Sequence, residues 1–152
     1  MTAEQKTPNF SIQKVYLKDL SFEAPNSPTV LSGEWKPEAN MEMNTSFEKL
    51  DETHYEVVLR MTLTAKNRDE VAFITEVKQA GIFALENIAP EQVEPILLSY
   101  CPTALFPYAR DVISSTIFRG SFPELNLAPV NFDALYLQSK QQATAPASTA
   151  VN

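Results

Sequence analysis

The chain has 152 residues, 44% of them hydrophobic and 20% charged, a composition that points to one folded domain with a real core. A net charge of −7 and a pI near 4.7 exclude a nucleic-acid binder built on clustered Lys and Arg, and argue against docking on an anionic membrane surface. The single cysteine, Cys101, permits no disulfide within the chain. The opening MTAEQKTPNF has no apolar leader, and no run approaches a membrane span. The expectation is a cytoplasmic protein that does not insert into membranes.

Residues 1–9 are polar and are expected to be a flexible start. Residues 10–23 read as a strand. Phe10, Ile12, Tyr16, Leu20 and Phe22 share one parity, while Val15 and Leu17 fall on the other. Either a bulge or a strand apolar on both faces would explain that mixture. Pro25, Asn26, Ser27 and Pro28 form a loop. Trp35, the only tryptophan, lies in the connection that follows. There it either plugs a core or sheet edge, or lines an apolar groove. Met41, Met43, Thr45 and Phe47 alternate with polar residues and give a second strand. In the third, residues 54–65, Tyr55, Val57, Leu59, Met61 and Leu63 face one way. A polar turn at 66–70 leads to a fourth, residues 71–83, which buries Val71, Phe73 and Val77 and presents Ile74, Glu76 and Lys78. Short polar connections predict an antiparallel meander.

The pattern then becomes helical. Pro90 and Glu91 suit a first turn, and Val93, Ile96, Leu97 and Tyr100 form one stripe. Cys101-Pro102 is expected to break that helix. The next carries Leu105, Phe106, Ala109, Val112, Ile113, Thr116 and Ile117 on one broad apolar face. Pro107 falls in its first turn or kinks it, and Arg119-Gly120 ends it with a residue suited to the left-handed region. Residues 122–130 form a Pro-punctuated apolar crossing. Asn131 caps a last helix with Phe132, Leu135, Tyr136 and Leu137 on its face. Residues 143–152 are expected to be a disordered tail. The fold class is therefore α+β: a four-stranded antiparallel sheet, a long helix, an extended crossing and a short C-terminal helix. One helix cannot cover such a sheet, so the apolar helix face from Leu105 to Ile117 is expected to join protomers of a homo-oligomer.

Little here promises catalysis. His54 stands alone on the polar parity of its strand. Cys101 sits before a proline in apolar company, with no histidine nearby. One His and one Cys cannot complete a metal site, and three glycines cannot build a phosphate loop. The pairs Asp51-Glu52 and Asp69-Glu70 fall in turns. No enzyme, metal or cofactor is expected. Two features remain. Trp35, Met41, Met43, Leu125, Leu127 and Tyr136 are apolar groups beyond what the fold needs. Asp19, Glu23 and Glu76 would form an acidic patch around Ile74 if the first and fourth strands lie side by side.

Four segments are more specific: YLKDLSFEAPNSP at 16–28, YEVVLRMTLTA at 55–65, LFPYAR at 105–110 and RGSFPELNLAPVNFDALY at 119–136. In these, and over residues 10–142 as a whole, the chain resembles the SecB family of bacterial protein-export chaperones. The resemblance implies a cytosolic homotetramer, a dimer of dimers. It implies ATP-independent binding of unfolded secretory precursors and their delivery to SecA, the translocation ATPase. It assigns SecA contact to Asp19, Glu23, Ile74 and Glu76, and the client groove to Trp35, Met41, Met43, Leu125, Leu127 and Tyr136. The chain departs from the family in having Ala80-Gly81 where many relatives carry two glycines, and in a tail, QATAPASTAVN, without the charges often found there. The alternative reading is a carrier of small apolar ligands, or an enzyme, on an oligomeric α+β fold. An inert scaffold would bind neither clients nor ligands.

Overall fold

The computed structural model describes residues 7–144, so most of the expected flexible start and tail lies outside the described residues. Four strands, β1 (Asn9–Glu23), β2 (Pro37–Lys49), β3 (His54–Asn67) and β4 (Glu70–Glu86), form one antiparallel sheet in the order β1-β4-β3-β2. Only β2, β3 and β4 run as a meander. The expected four-strand meander fails at β1, which pairs with β4 at the far side of the sheet. The connection to β2 must therefore cross the end of the sheet, and it contains a short 3₁₀ turn at Thr29–Leu31.

The mixed parity of β1 has a simple cause. The pairing steps from Ile12↔Phe83 to Lys14↔Ile82, and again from Leu17↔Gln79 to Asp19↔Lys78. Gln13 and Lys18 are extra residues, and each bulge resets which side the next residues face. Phe10, Ile12, Val15, Leu17, Leu20 and Phe22 thereby all reach one side of the sheet. Tyr16, opposite Ala80, turns to the other.

Helix α1 (Pro90–Pro95), a π-helical turn (Ile96–Tyr100) and α2 (Cys101–Arg119) follow one another with helical backbone at every junction. The break expected at Cys101-Pro102 does not occur. Pro102 has no N–H to give, and the turn before it widens instead: the Cys101 N–H donates to the Ile96 carbonyl, five residues back. The result is one rod about 45 Å long. Pro107 sits inside α2 with its ring exposed.

The rod ends differently from expectation. Gly120 has φ −80°, and Ser121 takes the left-handed conformation at φ 65°. Ser121 N–H donates to the Phe118 carbonyl, and Phe122 N–H to that of Ile117, which is the Schellman pattern. Gly120 is needed for space. A Cβ there would lie 2.6 Å from the Phe22 ring and 2.9 Å from that of Phe122. Residues 122–131 cross back without regular structure to α3 (Phe132–Thr144). Asn131 Oδ1 accepts from Ala134 N–H at 3.0 Å, the expected cap. On α3, Phe132 and Tyr136 are buried, while Leu135 and Leu137, expected on the same face, are exposed.

The core lies between the sheet centre and the rod. Leu59, Met61 and Leu63 of β3 and Phe73, Val77 and Phe83 of β4 are fully buried against Leu97, Leu105, Ile113 and Ile117. Each such side chain contributes roughly 1.5–3 kcal/mol by leaving water. A second aromatic cluster seals one end. Phe122 lies 5.0 Å from Phe73, 5.7 Å from Trp35 and 6.5 Å from Phe22, between ring centroids. Ile113→Ala should cost about 2–5 kcal/mol. Leu137→Ala, at a side chain 56% exposed on α3, should leave stability nearly unchanged. Urea unfolding of both variants at one protein concentration checks the contrast.

Candidate functional site

The two sides of the sheet carry different chemistry. On the side away from the rod, strand register brings the expected patch together. Glu23 stands opposite Ile74, Ser21 opposite Glu76 and Asp19 opposite Lys78. Directly opposed residues have Cβ atoms about 5 Å apart, so Asp19, Glu23, Ile74 and Glu76 share one small area. Asp19 and Glu23 are exposed; Ile74 and Glu76 are half-buried.

Two residues outside the expected patch fix Glu76. Arg60 Nη2 donates to its Oε2 at 3.1 Å, and Thr62 Oγ1 donates to the same oxygen at 3.2 Å. The Arg60 guanidinium, helped by Thr62, holds the Glu76 carboxyl below the usual carboxylate range. Both residues had the right parity on the third strand, but only the β3–β4 register puts them beside Glu76. The patch is thus an acidic rim with two cations, Lys78 and Arg60, set inside it.

Farther along this face lies a network that no sequence signal marked. Lys18 Nζ donates to Glu56 Oε1 at 2.8 Å, and the Tyr16 hydroxyl donates to Glu56 Oε2. Lys18 reaches Glu56 from the second bulge of β1. Burial, reinforced by the Glu56 carboxylate, pushes the Tyr16 phenol up to about 12.

On the rod side, an open cleft of about 360 Å³ separates β2 from α3. Met43 and Thr45 line it from the strand, Leu98 from the rod, and Phe132, Leu135 and Tyr136 from α3. The Ser99 hydroxyl donates to Asp133 Oδ1 at 3.0 Å and ties α3 to the π turn. Of the six groove residues expected, Met43 and Tyr136 line this cleft. Met41 stands opposite Leu63, and with Trp35, Leu125 and Leu127 it is half-buried against the core. Leu98, Phe132 and Leu135 add to the apolar lining, and Asn44, Thr45, Gln138, Ser139 and Gln142 make the rest of it polar.

The helix face expected to join protomers is turned inward. Leu105, Phe106, Ala109, Ile113, Thr116 and Ile117 are buried in the chain's own core, and Val112 is half-exposed. The apolar surface left open lies beside them. Ile12, Leu17 and Leu20 on β1 are 40–46% exposed, and Tyr108 and Phe118 project from α2. Between strand and rod runs a cleft of about 430 Å³ lined by Val15, Leu17, Gln79, Tyr108 and Val112, among others. At its base Gln79 is buried. Its Nε2 donates to the Tyr16 carbonyl at 3.0 Å, and its Oε1 has no partner among the described residues.

The remaining titratable candidates are held by structure. Asp51 accepts from the N–H groups of Thr53 and His54 and lies 2.9 Å from His54 Nδ1. These turn bonds lower its carboxyl to about 2. Cys101 is fully buried, and desolvation pushes its thiol up to about 12. Among the described residues, no three of His, Cys, Asp and Glu converge as a metal site, and no helix is long and apolar enough to cross a membrane.

Sheet, rod and crossing define an α+β protein whose exposed features are surfaces: open, partly apolar clefts on one side and a charged face on the other. A family model described as preprotein translocase subunit SecB matches residues 3–143. The chain belongs to the SecB family of protein-export chaperones. Among solved structures it is similar to the SecB-like chaperone of Mycobacterium tuberculosis in complex with a ChAD peptide from an antitoxin. The TM-score is 0.67 at 16% identity, over 80% of this chain and 90% of that one. A protein of unknown function from Streptococcus agalactiae aligns at TM-score 0.46 and 12% identity, over 81% of this chain and 99% of that one.

The Tyr16 phenol supplies a test of the charged face. A folded-state pKa raised from 10.0 to about 12 means the fold favours the neutral phenol. That stabilisation is present below the ordinary value and is lost as pH rises toward 12. Spectrophotometric titration should reveal a phenolate step near pH 12, and Tyr16→Phe should remove it.

Proposed function

We propose that this chain is an ATP-independent holdase that binds unfolded precursor proteins and passes them to SecA in the cytoplasm. The observation that carries the reading is the open cleft between β2 and α3, where Met43, Leu135 and Tyr136 stand beside the polar groups of Asn44, Gln138 and Gln142, a lining that can meet both apolar side chains and backbone of an unfolded segment. Methionine adapts its shape to many side chains, which suits recognition of unrelated segments. The mycobacterial relative was solved with a peptide bound, which supports polypeptide as the ligand here. Trp35, Met41, Leu125 and Leu127 extend the same apolar wall beyond the cleft. No chemical step is assigned to the chain, and no metal or cofactor is required.

The quaternary arrangement is part of the proposal. The uncovered strip of Ile12, Leu17 and Leu20, with Tyr108 and Phe118 beside it, is a surface that a second copy would cover. In this reading protomers pair along β1 and the outer side of α2, with Leu105 to Ile117 backing the contact from within. Two such dimers make the tetramer. Several clefts on one particle then hold one chain at several points, and weak single contacts add through effective concentration.

Delivery is assigned to the opposite face. Asp19, Glu23 and Glu76 around Ile74 match a partner with basic residues flanking an apolar one, the motor SecA. Because this patch and the cleft lie on opposite sides of the sheet, one partner can engage while the other is still held.

Two experiments test the proposal. Light scattering combined with an aggregation assay on an unfolded secretory precursor should find a tetramer that suppresses aggregation at about one tetramer per chain. A monomer without protective effect overturns the reading. Binding of one small apolar ligand with indifference to unfolded protein would favour a carrier instead. Separately, Glu76→Lys should abolish SecA binding and leave client binding intact. Loss of both, or of neither, would mean the delivery surface lies elsewhere.

A further inference from the structure

The connection from β1 to β2 carries Trp35 and has almost no regular structure, yet it is tied down at several points. The turn between β3 and β4 supplies two of the ties. Arg68 and Asp69 both have left-handed backbone, φ 53° and 62°, the signature of a tight hairpin turn. From its tip, Arg68 Nη2 donates to the Ser32 carbonyl at 3.1 Å. Gly33, at φ 91°, passes directly beneath. Its left-handed backbone favours glycine, and a Cβ there would lie 2.2 Å from Arg68 Nη2, so any side chain would push the guanidinium off the Ser32 carbonyl.

The other tie is Asn67, the last residue of β3, only 2% exposed. Its Oδ1 accepts from the Lys36 N–H at 2.8 Å, and its Nδ2 donates to the Glu34 carbonyl at 3.1 Å. Those two peptide groups flank Trp35 on either side. One amide side chain therefore closes a two-point clasp around a single residue. The indole it fixes rests against Phe122 at 5.7 Å, over the Phe73 and Phe22 cluster. It is half-buried, so part of it stays open to solvent. Asn is suited to this place because it offers an acceptor and a donor in one plane, and burial makes loss of either bond costly.

We infer that Asn67 is a positioning residue for the client groove, holding the backbone on both sides of Trp35 so that the indole stands as a preformed wall. The recognition half of this inference rests on the proposed function. An apolar segment would then meet a rigid aromatic surface instead of having to order a loop, and the ordering cost would already be met in folding.

Trp35 is the only tryptophan, so fluorescence excited at the red edge of indole absorption, where the five tyrosines do not absorb, reports on it alone. Asn67→Leu keeps the size and removes both bonds. It should raise acrylamide quenching of Trp35 severalfold, lower its anisotropy, and weaken binding of an unfolded precursor about tenfold. Val57→Ala, in the core away from this loop, should lower stability and leave quenching unchanged, which separates positioning from general loosening. Asn67→Asp gives a second readout if the leucine variant does not fold. An ionised Asp cannot donate to the Glu34 carbonyl, while a protonated one can. Burial at this site raises such a carboxyl above its ordinary value of about 3.9, so quenching in this variant should be lowest at about pH 4 and rise as the pH is taken to about 8, with the wild type flat between them. Unchanged quenching in both Asn67 variants overturns the clasp. Freed Trp35 with unchanged client affinity overturns its role in recognition. A wild type that binds no client removes the holdase reading, while the fluorescence still decides whether Asn67 positions Trp35.

Discussion

One helix is narrower than the sheet it lies on. The rod is about 10–12 Å across with its side chains. Four strands spaced about 4.8 Å apart present a wider surface. Covering the centre is therefore possible and covering both edges is not. The burial follows that geometry. β3 and β4 under the rod contain the fully buried side chains, including Leu59, Phe73 and Val77. β1 on one edge leaves Ile12, Leu17 and Leu20 open. β2 on the other leaves Met41 and Met43 half-buried beside a cleft. Both rod-side surfaces given a function above are strips that the rod borders and does not cover.

The two bulges in β1 make the first of these strips. Without Gln13 and Lys18 as extra residues, a strict alternation would split the six apolar side chains between the two faces. Lys18, freed from the ladder, also carries its ammonium to Glu56. The composition of β1, read residue by residue, held the signal of a bulge, because no single parity fitted. The number of bulges and their places were not legible, since they depend on which strand β1 pairs with. That choice, β4 rather than β2, is a long-range decision made across the intervening hairpins, and local turn chemistry does not record it.

Prolines misled in a similar way. Pro102 reads as a stop when each residue is scored against an ideal α-helix. A single π turn absorbs the missing donor, and the packing of Leu97, Leu105 and Ile113 on the sheet favours a continuous rod. The same packing accounts for the helix face expected between protomers. The 3–4 spacing of Leu105, Ala109, Ile113 and Ile117 identified an apolar stripe correctly. Periodicity says that a stripe is buried, and is silent on whether the chain's own sheet or a second copy buries it. By contrast, the parity of β3 and β4 was plain in the sequence because one face is buried along nearly the whole length. Asn67 was invisible for the opposite reason. It is one polar residue in a turn until the fold brings Glu34 and Lys36 against it.

Separating the two faces of one sheet has a further consequence. In β4, Ile74 and Glu76 point to the charged face while Phe73, Thr75 and Val77 point into the core. The strand is one side chain thick, so a partner gripping the charged face presses on the same backbone that supports the core. That backbone is held in the middle of the sheet by ladders on both sides, β1 and β3. It is poorly placed to move. β2 is at an edge, with a ladder on one side only, and an open cleft separates it from α3. If binding on one face loosens a client on the other, the compliant parts are β2, α3 and the crossing segment, and the rigid β3–β4 pair is the frame they move against.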